Sequence, residues 1–280
     1  MHLVMILVVL GIAWWLRCKP IDSVGSWAER WAKALLLFLF PPLLLIMTGV
    51  AVLCMGPQGQ MVGFSSGGFS YLLAVGFFGL MGIKFIILSR QGWQAQRQAR
   101  TYPRLAVQDK HCRVFNTTVP FAALIGFWQP ELVVSQGLLN TLATAHVDAV
   151  ITHEQAHKYY RDTFWFFWLG WLRSCTQWLP NTEALWQELL ALRELRADTW
   201  AAQKVDPLVL AESLLQVVSS TSSIPFESFS AAFSVTQRNR LVERVEALLS
   251  EPEVTPEANL WVWAWLLLAF LPLAAIPFHN

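Results

Sequence analysis

The sequence predicts a mainly α-helical integral membrane protein, with about four transmembrane helices and a cytoplasm-facing α+β domain. Three observations carry that expectation. Of the 280 residues, 55% are hydrophobic and only 14% charged, with a mean hydropathy of +0.43, too apolar for a water-soluble chain of this length. The apolar residues gather into stretches at 3–16, 31–55, 69–88 and 260–278, with a polar segment between the last two. That polar segment contains His153-Glu154-Gln155-Ala156-His157, the pattern HExxH, in a stretch of helical character.

The elements follow in order. Residues 1–89 hold three transmembrane helices. The first apolar stretch is short for a span and has no basic residues before it. Arg17 and Lys19 come after it instead, so it reads as an uncleaved anchor with its N-terminus outside. Arg17, Lys19, Arg30 and Lys33 lie between the first two spans, and Arg90, Arg97, Arg100, Arg104, Lys110 and Arg113 follow the third, whereas residues 56–68 carry no charge. By the positive-inside rule residues 90–258 face the cytoplasm, and residues 259–280 form the last transmembrane helix. The same rule explains the basic residues without nucleic acid, and a net charge of +1 gives no reason to expect direct nucleic-acid binding. Trp14, Trp15, Trp31, Trp261, Trp263 and Trp265 sit near span ends, where indoles favour the membrane–water interface. The 4 cysteines, at 18, 54, 112 and 175, fall in different segments and indicate neither a disulfide framework nor a metal site.

Within the cytoplasmic part, residues 89–102 read as a helix that stops before Pro103. Residues 112–117, 121–127 and 131–135 are rich in strand formers and punctuated by Pro120 and Pro130, which predicts a small sheet. Thr144 is a suitable N-cap for the motif helix and Asp148 a favourable early acid, and that helix is expected to run past Asp162. Ser219 to Ser223 reads as a loop, and residues 237–249 as a helix whose Arg238, Arg240 and Arg244 make a solvated or phosphate-facing surface, the sharper alternative being that one of them reaches the active site.

The chemistry rests on spacing. At i and i+4 of a helix, His153 and His157 project from one face, and Glu154 stands at its edge. Two imidazoles so placed can grip a zinc ion while the carboxylate serves as base toward its water. Glu194 and Asp198 are again i and i+4, so the first can ligate and the second can orient a ligating histidine through its other ring nitrogen. His111 and His146 have no helical partner at ligand spacing and read as surface histidines.

HEQAH, then Arg161-Asp162, then ELRAD ending at Asp198, resembles the integral-membrane metallopeptidases typified by the β-lactam sensor-transducers. More distantly the chain is similar to the heat-shock membrane proteases and the CAAX prenyl endopeptidases. The resemblance covers roughly residues 100–250. It implies a zincin-like (gluzincin) domain with His153, His157 and Glu194 as Zn2+ ligands, Glu154 as general base and Asp198 supporting a ligand. It also implies an edge strand for substrate beside the zinc, best matched by Ala122, Ala123, Leu124, Ile125, Gly126 and Phe127. The implied activity is a zinc metalloendopeptidase cutting a protein or peptide substrate, for instance a transcriptional repressor. A membrane quality-control protease and a transducer with a non-catalytic zinc site are the alternatives. Such sensor-transducers carry a penicillin-binding domain after the last span, where this sequence ends at His279-Asn280, so β-lactam sensing is not implied.

One further expectation comes from coordination. Residues 164–179 are apolar enough to be taken for another span, yet a single crossing would put Glu194 across the membrane from His153. The return segment, 181–200, also carries too many charges to face lipid. Residues 164–179 are therefore expected to dip into the membrane or lie along it and come back.

Overall fold

The computed structural model describes residues 2–20, 25–57, 60–61, 64–65, 68–107, 110–222, 231–250 and 263–278. In chain order the elements are α1 (His2–Arg17), α2 (Trp27–Met55), β1 (Gln60–Met61), β2 (Phe64–Ser65), α3 (Gly68–Thr101), β3 (Arg104–Val107), β4 (Lys110–Phe115), β5 (Ala122–Ile125), β6 (Glu131–Ser135), α4 (Gln136–Thr141), α5 (Thr144–Tyr159), α6 (Asp162–Thr176), α7 (Thr182–Ala202), α8 (Pro207–Ser222), α9 (Ala231–Leu249) and a 3₁₀ helix (Trp265–Phe278). The chain is mostly helical with a small mixed sheet, and it forms two compact units. One comprises residues 1–88, 169–190 and 255–280, the other residues 89–168 and 191–254.

In the first unit, α2 and α3 are long and apolar enough to cross a membrane. The α1 helix and the C-terminal 3₁₀ helix are apolar but shorter. A capping box starts α2: the Ser26 hydroxyl accepts from the Glu29 backbone N–H at 3.4 Å, and the Glu29 carboxylate accepts from the Ser26 N–H at 3.2 Å. Small and aliphatic side chains let its neighbours pack closely, Ala51, Val52 and Met55 meeting Ala74, Met5, Ile6, Leu273 and Ile276. Buried Arg17 donates to Thr182 Oγ1 at 3.0 Å and to the Phe38 carbonyl at 3.1 Å, which hold part of its guanidinium. Arg30 donates to Glu188 Oε1 at 2.9 and 2.7 Å. Between α6 and α7 the chain reverses at Asn181, whose φ of 54° is a conformation asparagine tolerates and whose side-chain amide donates to the Arg17 carbonyl at 2.7 Å.

The second unit is built around α5. Its sheet has the order β3-β4-β6-β5, with β4 and β6 parallel and the other pairs antiparallel. Alternation along β4 buries Cys112 and Val114, which pack with Val134 of β6 against Val147, Val150 and Ile151 of α5. Each aliphatic side chain so buried contributes about 1.5–3 kcal/mol. On another side of the helix, Ala149 meets Ala201, Leu210, Ala211 and Leu248 from α7, α8 and α9. Between β6 and α5, Ser135 caps α4 by accepting from Leu138 N–H at 3.0 Å and also accepts from Phe121 N–H at 2.9 Å. Gly137 is required there, because a Cβ would collide with the Thr118 carbonyl.

Several sequence expectations are corrected. The candidate substrate strand ends at Ile125, not Phe127, because Gly126 turns away at φ 131° and Phe127 packs on Phe164 and Phe167 at ring-centroid distances of 4.9 and 4.8 Å. The motif helix does not run past Asp162: it stops at Tyr159, and Arg161 adopts φ 54° before α6 begins. Its N-cap is Ala143, with no side-chain cap bond, rather than Thr144. A strand at Arg104–Val107 was not foreseen, and α8 continues through the serine-rich stretch to Ser222. Residue 223 lies outside the described residues, as do 259–262 and 279–280 of the expected last span. From Trp265 that segment is a 3₁₀ helix containing Pro272 and Pro277. His146 is mostly buried and pairs with Glu212 at 3.1 Å rather than lying free on the surface.

Candidate metal centre

Two helices supply the centre. The inward face of α5 carries His153 and His157, 6% and 8% exposed, and α7 presents Glu194 one turn before Asp198. One ligand atom from each of His153, His157 and Glu194 can be chosen so that all three lie within 4.8 Å of one another. His153 Nε2 is 3.2 Å from Glu194 Oε2, and His157 Nε2 is 3.7 Å from Glu194 Oε1. Both Nε2 atoms thus converge on one carboxylate, the arrangement a metal ion needs from three protein ligands.

The other ring nitrogens face carboxylates. His157 Nδ1 donates to Asp162 Oδ2 at 2.8 Å, and Arg196 in turn pairs with Asp162 Oδ1. His153 Nδ1 lies 2.8 Å from Asp198 Oδ1, within ion-pair contact although the N–H direction misses hydrogen-bond geometry. Arg244 of α9 grips Asp198 with two bonds, at 2.6 and 2.8 Å, and its remaining nitrogen is 3.5 Å from Glu194 Oε2. A proton held on Nδ1 leaves the Nε2 lone pair free to ligate, so these contacts select the tautomer a metal requires. This donor set and its outer carboxylates fit a bound divalent ion.

Without a metal the charges balance among themselves. Burial alone would lower the His153 imidazole, but the charge of Asp198 in close contact with it, with help from Glu194, leaves it raised to about 9. His157 is raised as well, Asp162 and Glu194 outweighing burial. Glu194 is held well below the ordinary carboxylate range despite burial, through its bonds to both histidines and the charges of Arg244 and Arg193. Arg193 donates to Glu194 Oε1 at 3.0 and 2.6 Å. Glu154 goes the other way: burial pushes its carboxyl up, opposed by the neighbouring histidines. A carboxyl raised toward neutrality is suited to accepting and returning a proton.

Glu154 opens on a cleft of about 480 Å³ that is also lined by Leu124 of β5. This strand lies at the sheet edge, hydrogen-bonded to β6 on one side only, and packs beside α5. The structure therefore places Ala122, Ala123, Leu124 and Ile125 beside α5, with Leu124 on the same cleft as Glu154, while Gly126 and Phe127 leave the strand.

Sequence reasoning missed Asp162 as a histidine partner and Arg193 as a partner of Glu194, and it left Arg244 undistinguished from Arg238 and Arg240. The signal for Asp162 was present in its position five residues after His157, but it is useful only once the helix is known to break between them. Compared with protein-family models, curated proteins and solved structures, the chain finds no match.

Proposed function

We propose that this chain is a membrane-embedded zinc endopeptidase that cleaves protein substrates at the cytoplasmic face, in the regulated proteolysis of a repressor. One observation carries the reading: His153, His157 and Glu194 converge with Glu154 alongside, and each histidine has a carboxylate behind its Nδ1. Nitrogen and oxygen donors in this number suit zinc, held by the two Nε2 atoms and the Glu194 carboxylate. When bound, the ion supplies Lewis acidity toward a water and a peptide carbonyl. Glu154 accepts the attacking water's proton and returns it to the departing amine nitrogen. Asp162 and Asp198 hold the imidazoles in register, and Arg244 fixes Asp198 while touching Glu194. An extended substrate adds to the free edge of Ala122–Ile125, which places its backbone beside Glu154.

The resemblance noted above supplies the repressor as substrate and the zincin-like character of the domain. Support for multiple membrane crossings comes from α2 and α3, from the apolar 3₁₀ helix and α1, and from exposed apolar residues along α3 such as Leu72, Leu80, Ile83 and Ile86. Residues 169–190 join the unit that contains these helices: Trp171 donates to the Met81 carbonyl at 3.0 Å, and Phe38 and Trp186 rings lie 6.2 Å apart. This supports a segment that dips into the membrane and returns; the proposed domains are 1–89, 90–258 and 259–280, with residues 169–190 of the middle one packed into the unit that holds the apolar helices.

The test is metal analysis and cleavage with protein purified in detergent. Wild type should hold about one zinc per chain and cut a casein-like substrate or itself. Glu154→Gln should keep the zinc and lose cleavage by about 10²-fold or more. Full activity in that variant would refute Glu154 as base.

A further inference from the structure

The cleft beside Glu154 is lined by four cations, Arg104, Lys110, Arg113 and Lys158, and two carboxylates, Glu131 and Glu154. Glu131 is already committed: Arg113 pairs with it at 2.5 Å, and Arg100 and Arg104 approach to 3.4 and 3.6 Å. Lys110 is engaged by Asp148 at 3.1 Å, but exposed Lys158 makes no ion pair among the described residues. Lys158 follows Glu154 by one helical turn, so it occupies the same face of α5. The positive-inside rule accounts for Arg104, Lys110 and Arg113 lying on the cytoplasmic side. It does not account for their convergence with a lysine from another element around one concave surface.

We infer that this cleft selects acidic segments: the substrate is a protein stretch extended along Ala122–Ile125 with Asp or Glu within a few residues of the scissile bond. The inference rests on the peptidase reading. Backbone pairing with an edge strand supplies affinity but little discrimination, so the flanking charges set which segments dock. A neutral or basic stretch leaves the excess cations facing one another, whereas an acidic one neutralises them. Lys158 and Arg104, whose side chain is 68% exposed, are the residues with charge to offer.

The experiment uses zinc-loaded, full-length Glu154→Gln protein in detergent and three fluorescent peptides of one apolar sequence, carrying two Asp, two Asn or two Lys on one flank. Binding by anisotropy should be roughly tenfold tighter for the Asp peptide than for the Asn peptide, with the gap closing as salt is raised. Lys158→Glu and Arg104→Glu, made in the same background and shown to retain zinc, should each reduce the preference, and together reverse it toward the Lys peptide. Equal binding of all three peptides, or no binding of any, overturns the inference. A charge preference that survives both reversals also overturns it. Wild-type protein tested on the same peptides separates the two readings. Cleavage indifferent to charge leaves the peptidase standing and removes the acidic selectivity. Acid-selective binding without cleavage of any peptide does the opposite.

Discussion

The two histidines are backed in the same way by parts drawn from different distances along the chain. His157 leans on Asp162, five residues on, and Asp162 is held by Arg196. His153 leans on Asp198, and Asp198 is held by Arg244 from a separate helix, 46 residues further on. Each arm is an imidazole, a buried carboxylate and a guanidinium, an order in which every charge has an opposite neighbour in surroundings that would penalise it alone. The arms differ at their outer ends. Arg196 lies over the Tyr160 ring at 4.2 Å, whereas Arg244 also reaches the ligand Glu194. The distant arm therefore touches two members of the candidate metal site, His153 and Glu194.

The comparison assumes that both arms serve one ion, and removing a ligand tests that most severely. His153→Ala or Glu194→Ala should bring zinc from near one per chain to near zero by metal analysis; unchanged zinc in both would dissolve the comparison. Asp198→Asn and Asp162→Asn should each weaken zinc affinity by about 10–100-fold in a chelator competition. Asp198→Asn should be the worse, because it strips Arg244 of its bidentate partner inside the protein. Equal losses would show that the second contact of Arg244 carries no weight. Arg244→Gln should cost more affinity than Arg196→Gln, each by less than the corresponding carboxylate change, and the reverse order would make the local arm the stronger.

The smallest expected effect is in the metal-free protein. His153 is raised in the folded state, so its contribution to stability is fully present below the ordinary histidine value of about 6.5 and is lost as pH rises through about 9. The thermal midpoint should fall by a few degrees across that window. In Asp198→Asn the dependence should shrink, since the leading cause of the raised value is gone. A midpoint flat from pH 6.5 to 9 would mean that the Asp198 contact does not hold the proton on His153.

Spacing made the candidate ligand group legible. HExxH and ExxxD each place two polar side chains on one face of a helix, and α5 and α7 bear those faces toward each other. The apolar stretches marked α2 and α3 for the same local reason, since length and composition suffice. Long-range pairing was not legible. Nothing near Arg244 separates it from Arg238 and Arg240; only packing of α9 beside α5 and α7 does so. Arg104–Val107 has no alternation of burial that would mark it as a strand, and it forms by pairing with β4. The end of β5 is set by the 131° φ of Gly126, a backbone state that the residue permits but does not announce.

Arg161 bears on how this centre could be moved to another protein. In an unbroken helix, a residue five places after His157 would point about 140° away from it, too far round to take its Nδ1 proton. The left-handed φ of 54° at Arg161 swings Asp162 back beneath the ring. A designer who grafted only residues 153–157 onto a straight scaffold helix would import both imidazoles and leave one free to spin. The smallest portable piece is the helix with its kink, residues 144–162, and the step between Tyr160 and Asp162 belongs to the candidate metal site as much as the histidines do.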